Sequence, residues 1–211
     1  MGALQGFLGW WMVESGLNKE PDVSHYRLAI HLITALITFA YTFWVALGLI
    51  YPTNKNNYIK KINNLLKITL ALVIIQIIYG AFVAGLNAGF TMNTWPKMGN
   101  QWINDSVTAM EPFWVNFIDG IGGVQFIHRN LALIVVSLII YLLIISVKYP
   151  MNTIQKKSLL ALVIVVFMQF LLGVFTLLFA VPISLGVIHQ AGAFLLLGTL
   201  TFNLYQFKKL D

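Results

Sequence analysis

The chain has 211 residues, of which 59% are hydrophobic and 9% charged, with a formal net charge of +6. Water-soluble domains carry about 25% charged residues, so a soluble globular fold is excluded. The basic excess does not point to nucleic acid, because nine of the 13 Lys and Arg residues fall in short segments assigned below to one side of a membrane.

Along the chain, the first apolar stretch runs from Met1 to Val13. At about 1.5 Å per residue it makes roughly 20 Å of helix, short of the ~30 Å hydrocarbon core, so it reads as a helix cut short. It lacks the basic segment, short apolar core and small-residue cleavage site of a signal peptide and belongs to the fold. Five longer stretches follow, at 26–51, 65–90, 124–147, 158–181 and 183–207. Each meets the roughly 20 residues a transmembrane helix needs. The expected fold is therefore an all-α transmembrane bundle.

The connecting segments set the direction of each helix. Lys55, Lys60, Lys61 and Lys67, then Lys148, Lys156 and Lys157, and finally Lys208 and Lys209 belong to segments that alternate with acidic ones. Lysine-rich segments stay on the cytoplasmic or matrix side. The opposite segments hold Glu14, Glu20, Asp22, Asp105, Glu111 and Asp119, every acidic residue except Asp211, and are expected to face outward.

With directions assigned, a repeat emerges. Each helix running outward carries a Gln followed four residues later by Gly: Gln5/Gly9, Gln76/Gly80 and Gln169/Gly173. Each helix running back carries a His in its first two turns: His31, His128 and His189. The unit is a helix hairpin used three times. Gln5 sits nearer its helix start than its counterparts, so further residues are expected before Met1. The loop 91–123 is the one long outward connection and mixes Trp95, Trp102 and Trp114 with Pro96 and Pro112. It reads either as an aromatic belt at the headgroups or as a lid over a cofactor.

Ionisable side chains within a bilayer are costly, so an intramembrane His is read as functional by default. Three at like depth on equivalent helices point to ligation. No cysteine is present, which removes disulfides, iron–sulfur clusters, thioether-linked haem and thiolate catalysis from these residues. Haem iron needs only axial imidazoles from facing helices, so bis-histidine haem is the expected chemistry. Hairpin adjacency pairs His128 with His189, while His31 belongs to a second, incomplete bundle. His25 reads as a solvated surface residue just outside the membrane. Arg129 and Arg27 lie near the outer interface, where each suits either a haem propionate or lipid phosphates. Gly2-x3-Gly6 and Gly85-x3-Gly89 predict close helix contact, and Gln76 and Gln169 predict hydrogen bonds between helices. At this point an enzyme, a plain electron-carrying cytochrome and a transporter built on repeated bundles all remain open, the transporter least favoured because Pro182 falls at a helix end rather than mid-helix.

Several segments resemble the haem A synthase family. They are Gly6 to Leu17 (GFLGWWMVESGL), Tyr26 to Leu32 (YRLAIHL), Gly80 to Gly89 (GAFVAGLNAG), Asn93 to Gly99 (NTWPKMG), Gln125 to Arg129 (QFIHR) and His189 to Ala191 (HQA). The resemblance implies eight helices in two pseudo-symmetric four-helix halves. Residues 1–51 would close an incomplete N-terminal half, 52–64 would be a cytoplasmic or matrix linker, and 65–211 a complete C-terminal half. It implies haem b as cofactor on His128 and His189 with Arg129, and haem O as substrate on His31 with Arg27. It also implies oxidation of a haem O methyl group to the formyl group of haem A, by successive hydroxylation and loss of water, for cytochrome oxidase assembly. The family's catalytic glutamate would lie upstream of Met1, leaving no catalytic residue in this chain and the chain inactive alone. The implied partners are the lipid bilayer, a haem O synthase as supplier and an unspecified electron acceptor; self-association is left open. The implied location is a bacterial cytoplasmic or mitochondrial inner membrane, with the C-terminus on the cytoplasmic or matrix side. Asn87 stands where the family commonly has Asp. The alternative is a bis-histidine b-type cytochrome that transfers electrons without chemistry.

Overall fold

The computed structural model describes residues 1–16, 22–51 and 57–209. Leu17, Glu20, Lys55 and Asp211, used above for motif or topology, lie outside the described residues. Among the described residues six α-helices run in order: α1 (Gly2–Glu14), α2 (His25–Ile50), α3 (Lys60–Gly85), α4 (Ile121–Ser146), α5 (Thr153–Leu178) and α6 (Ile183–Gln206). Helices α2 to α6 are each long and apolar enough to cross a membrane, and the all-α transmembrane architecture follows. Helices α2 to α5 each have 26 residues, about 39 Å at 1.5 Å per residue.

Helix limits depart from the apolar stretches for a simple reason. Helix α3 begins at Lys60 rather than 65, and α5 at Thr153 rather than 158. Their first turns are polar, so hydropathy alone does not mark them. Helix α5 is started by a capping box in which Asn152 accepts from the Gln155 amide and Gln155 accepts from the Asn152 amide; this satisfies two of the otherwise unpaired groups at a helix start. At its other end α3 stops at Gly85 instead of continuing to 90, because Asn87 takes a left-handed conformation (φ 54°) before a 3-10 turn over Ala88–Phe90. Asn is among the few residues that enter this region readily.

The two ends of the bundle are built differently. At the lysine-rich end, Ile62, Leu66, Leu142, Leu159, Leu162, Leu200 and Phe207 form a fully buried core. Buried polar groups lock it: Asn63 donates to the Phe207 carbonyl at 3.0 Å, Gln155 to the Gln206 carbonyl at 2.9 Å, and Ser158 to Asn203 Oδ1 at 2.9 Å. Hydrogen bonds between membrane helices contribute about 0.6–2 kcal/mol each. Towards the loop end a second, smaller cluster of Ala29, Ala81, Phe82 and Val124 packs α2, α3 and α4, while the core thins elsewhere. Helix α6 has no buried residue before Leu196, α5 none between Val166 and Thr176, and α4 none between Arg129 and Val135.

The loop end is roofed by residues 86–120. Gly122 and Gly123 at the start of α4 let its backbone lie directly on this roof, because a Cβ at Gly122 would meet the Ser106 carbonyl oxygen at 2.6 Å and one at Gly123 the Val107 carbonyl oxygen at 3.2 Å. The expected close contact at Gly85 is present: an added Cβ would stand 2.7 Å from the His25 Cα, so α2 and α3 approach there. The contact expected at Gly2 and Gly6 is not, since neither has any neighbour within 4 Å. Both face away from the described helices.

Candidate functional site

The repeat has a structural meaning. In each hairpin the Gln reaches across to the His backbone: Gln5 Nε2 donates to the His31 carbonyl at 3.0 Å, Gln76 to His128 at 3.0 Å and Gln169 to His189 at 2.9 Å. One turn further on, the Gly provides the floor for the imidazole. A Cβ at Gly9 would stand 3.1 Å from His31 Cε1, at Gly80 3.2 Å from His128 Cε1, and at Gly173 2.9 Å from His189 Cε1. Gly9, Gly80 and Gly173 each lie five residues before their helix end, at Glu14, Gly85 and Leu178. The three cradles are therefore at one register. His31 lies six residues past His25, His128 seven past Ile121 and His189 six past Ile183, the starts of their helices. The expected hydrogen bonding of Gln76 and Gln169 between helices is present, and its acceptor is the carbonyl of the candidate ligand itself.

All three imidazoles are partly exposed, in the layer where the core is missing. His128 and His189 are close enough to interact electrostatically. Among the described residues, His189 Nδ1 is buried without a hydrogen-bond partner, as are Gln76 Oε1 and Gln169 Oε1. Among the described residues no three His, Cys, Asp or Glu side chains form a cluster able to hold a bare ion. The donor set is instead separate imidazoles on facing helices, each backed by glycine, which is what an axially held flat macrocycle needs.

Arg129 is buried and bound to the roof. Its guanidinium donates to the carbonyls of Met92 (2.6 Å), Thr94 (2.9 Å) and Lys97 (3.2 Å) and to Gln125 Oε1 (3.0 Å). Gln125 in turn donates to the carbonyls of Ala88 and Thr91. All of these acceptors are neutral, Nε has no partner, and among the described residues Arg129 makes no ion pair. A positive charge beside His128 is thus left without a counter-ion. Arg27 donates to the Trp11 carbonyl at 2.8 Å and lies 4.6 Å above the Trp11 ring, tying α2 to α1.

The loop divides the two readings of its tryptophans. Trp95 turns inward and packs edge-on against Phe170 of α5, with ring centroids 5.6 Å apart. Trp102 and Trp114 are 68% and 60% exposed and suit a headgroup belt.

His25 is not a solvated surface residue. Its side chain is only 13% exposed, stands 3.1 Å from Asp119 Oδ1 and packs edge-on against Phe82. The open space that Gly85 leaves admits it. Tyr26 donates to the same carboxylate at 2.7 Å, so the start of α2 clasps the segment leading into α4. Asn87 donates to Asp22 Oδ2 at 2.8 Å; the carboxylate is thus supplied from the α1–α2 side. Neither clasp was legible in the sequence, because the partners are 93 and 65 residues apart. Gln125 stood inside a motif but without a role, and its spacing four residues before Arg129 was the available signal.

These features define a class: a multi-pass membrane protein of repeated helix hairpins that offers cradled imidazoles at one end of its bundle. A profile described as COX15-CtaA, cytochrome oxidase assembly protein, matches residues 1–201, and the chain belongs to that family. It is 54% identical over 211 residues to a protein named heme A synthase from Flavobacterium psychrophilum, covering 99% of this chain and 62% of that protein. Proteins of the same name are 41% identical in Wolbachia pipientis wMel (99% of this chain, 58% of that protein) and 39% identical in Rhizobium etli (96% and 55%). The chain thus spans somewhat over half the length of these curated relatives.

Proposed function

We propose that this protein acts in haem A synthesis as an oxidoreductase, converting a methyl group of haem O to the formyl group of haem A. The carrying observation is the threefold Gln/Gly cradle around His31, His128 and His189, in a chain whose relatives are named heme A synthase. In this reading His128 and His189 hold a resident haem b, and His31 contributes one ligand to the substrate haem O. When bound, haem b supplies a one-electron relay for electrons withdrawn from the substrate. The protein's own residues do the positioning. Gly80 and Gly173 set the imidazole planes, Gln76 and Gln169 fix the backbone behind them, and Arg129 provides an uncompensated charge suited to a propionate. Arg27, four residues before His31, offers a second charge for the substrate haem. Arg129 and Gln125 hold the roof beside the histidine layer.

The loop end faces outward in this proposal, with the lysine-rich end and the C-terminus on the cytoplasmic or matrix side. Haem O comes from a haem O synthase within the bilayer, and electrons leave to a separate acceptor. Pigment extraction tests the reading. Purified protein should yield haem b together with haem O or haem A. Recovery of haem b alone, with no turnover of added haem O, would favour a plain electron-carrying cytochrome.

A further inference from the structure

An imidazole that ligates iron through Nε2 carries its remaining proton on Nδ1, and that proton needs an acceptor to fix the ring and raise its basicity. Around His128 the present arrangement has the opposite polarity. Gln76 Nε2, an N–H donor, lies 3.2 Å from His128 Nδ1 and 3.4 Å from Nε2 while donating to the His128 carbonyl. This offers the ring a donor at either nitrogen and no acceptor for a proton on Nδ1. A side-chain amide can answer such a reversal, because it carries an acceptor as well as a donor. The acceptor ends of Gln76 and Gln169 are both buried and unpartnered, and so is Nδ1 of His189, whose carbonyl already binds Gln169.

In the third hairpin this free acceptor is seated against a glycine on the helix that carries the histidine. An ideal Cβ at Gly192, three residues after His189, would overlap Gln169 Oε1. In the second hairpin the equivalent position is the apolar Leu131, three residues after His128. In the first it is Thr34, whose hydroxyl lies 2.9 Å from Gln5 Oε1 as well as near the carbonyls of Ile30 and His31. Gln5 therefore has a competing donor for its acceptor end, whereas among the described residues its two counterparts have none. The difference falls between the His31 hairpin and the two hairpins read as holding the resident haem.

We propose that Gln76 and Gln169 are positioning residues whose Oε1 atoms accept the Nδ1 protons of His128 and His189 when those rings bind iron, and that Thr34 withholds this support from His31. Resting on the haem reading above, this makes the His128/His189 site one of strong, permanent ligation and the His31 site one of weaker ligation suited to a haem that must come and go.

The test uses purified protein loaded with hemin, comparing Gln76→Glu, Gln76→Met, Gln169→Glu and Gln169→Met with the parent. The readouts are the haem midpoint potential and the ferric low-spin electron paramagnetic resonance spectrum. A carboxylate is a stronger acceptor, so the Glu variants should shift the potential to more negative values. The Met variants, which keep length but offer no comparable acceptor, should shift it to more positive values or lose haem that the Glu variants retain. Shifts in the same direction, no shift, or equal loss of haem from Glu and Met variants would overturn the inference. If the parent itself shows no bis-imidazole spectrum, the haem reading falls and this inference falls with it. A normal parent spectrum with unmoved variants defeats the Gln assignment alone.

Discussion

Gly80 and Gly173 leave the space that an imidazole edge fills, and the two are not equally tight. An alanine methyl would stand 3.2 Å from His128 Cε1 but 2.9 Å from His189 Cε1. Overpacking of this kind costs about 1–3 kcal/mol. Gly173→Ala is therefore expected to lower the haem-to-protein ratio more than Gly80→Ala, and Gly6→Ala, with nothing within 4 Å, to leave it unchanged. Quantifying haem per purified protein checks the order; equal losses at all three would refute the cradle. The histidines were legible in the sequence because an ionisable group in a bilayer is expensive enough to stand out singly. The cradle was visible only as a repeat. Gln76 and Gly80 share a helix face four residues apart, but nothing in the spacing says that both meet the same ring. His25 was misread because its burial depends on Gly85 and Phe82, which only the α2–α3 contact brings to it.

Helices were easier to foresee than what joins them. Apolar length marks a span, yet the first turns of α3 and α5 are polar and the end of α3 is decided by one left-handed Asn87. The roof was legible as a loop and no further, because its order comes from Arg129 gathering three carbonyls up to 37 residues away. Removing that guanidinium leaves partly buried acceptors unpaired, at about 1–3 kcal/mol for each that water does not reach. Arg129→Leu should thus make residues 92–97 markedly more sensitive to limited proteolysis. Arg129→Lys should recover part of the protection, since a single ammonium cannot span the same set of carbonyls. Unchanged cleavage in Arg129→Leu would show that the roof is held by other contacts. At the α2 start, the Asp119 clasp is partly exposed, so Asp119→Asn is expected to cost no more than about 1 kcal/mol, read as a small fall in melting temperature.

Across the described residues, close apolar packing and polar locks close the lysine-rich end, while the loop end keeps a layer of half-buried residues around three imidazoles. Such a division sets the three imidazoles above a closely packed base. The bundle's orientation is testable because the chain has no native cysteine. Trp102→Cys should react with a membrane-impermeant thiol reagent added outside sealed cells, and Lys208→Cys should react only after the membrane is opened. The reverse pattern would invert the topology. The account as a whole rests on haem held by His128 and His189, and the absorption spectrum of purified, hemin-reconstituted protein tests this most directly. The expected result is a low-spin bis-imidazole Soret band that is lost in His128→Ala and in His189→Ala and kept in His25→Ala. A parent protein without that band, or a band that survives both substitutions, would contradict it.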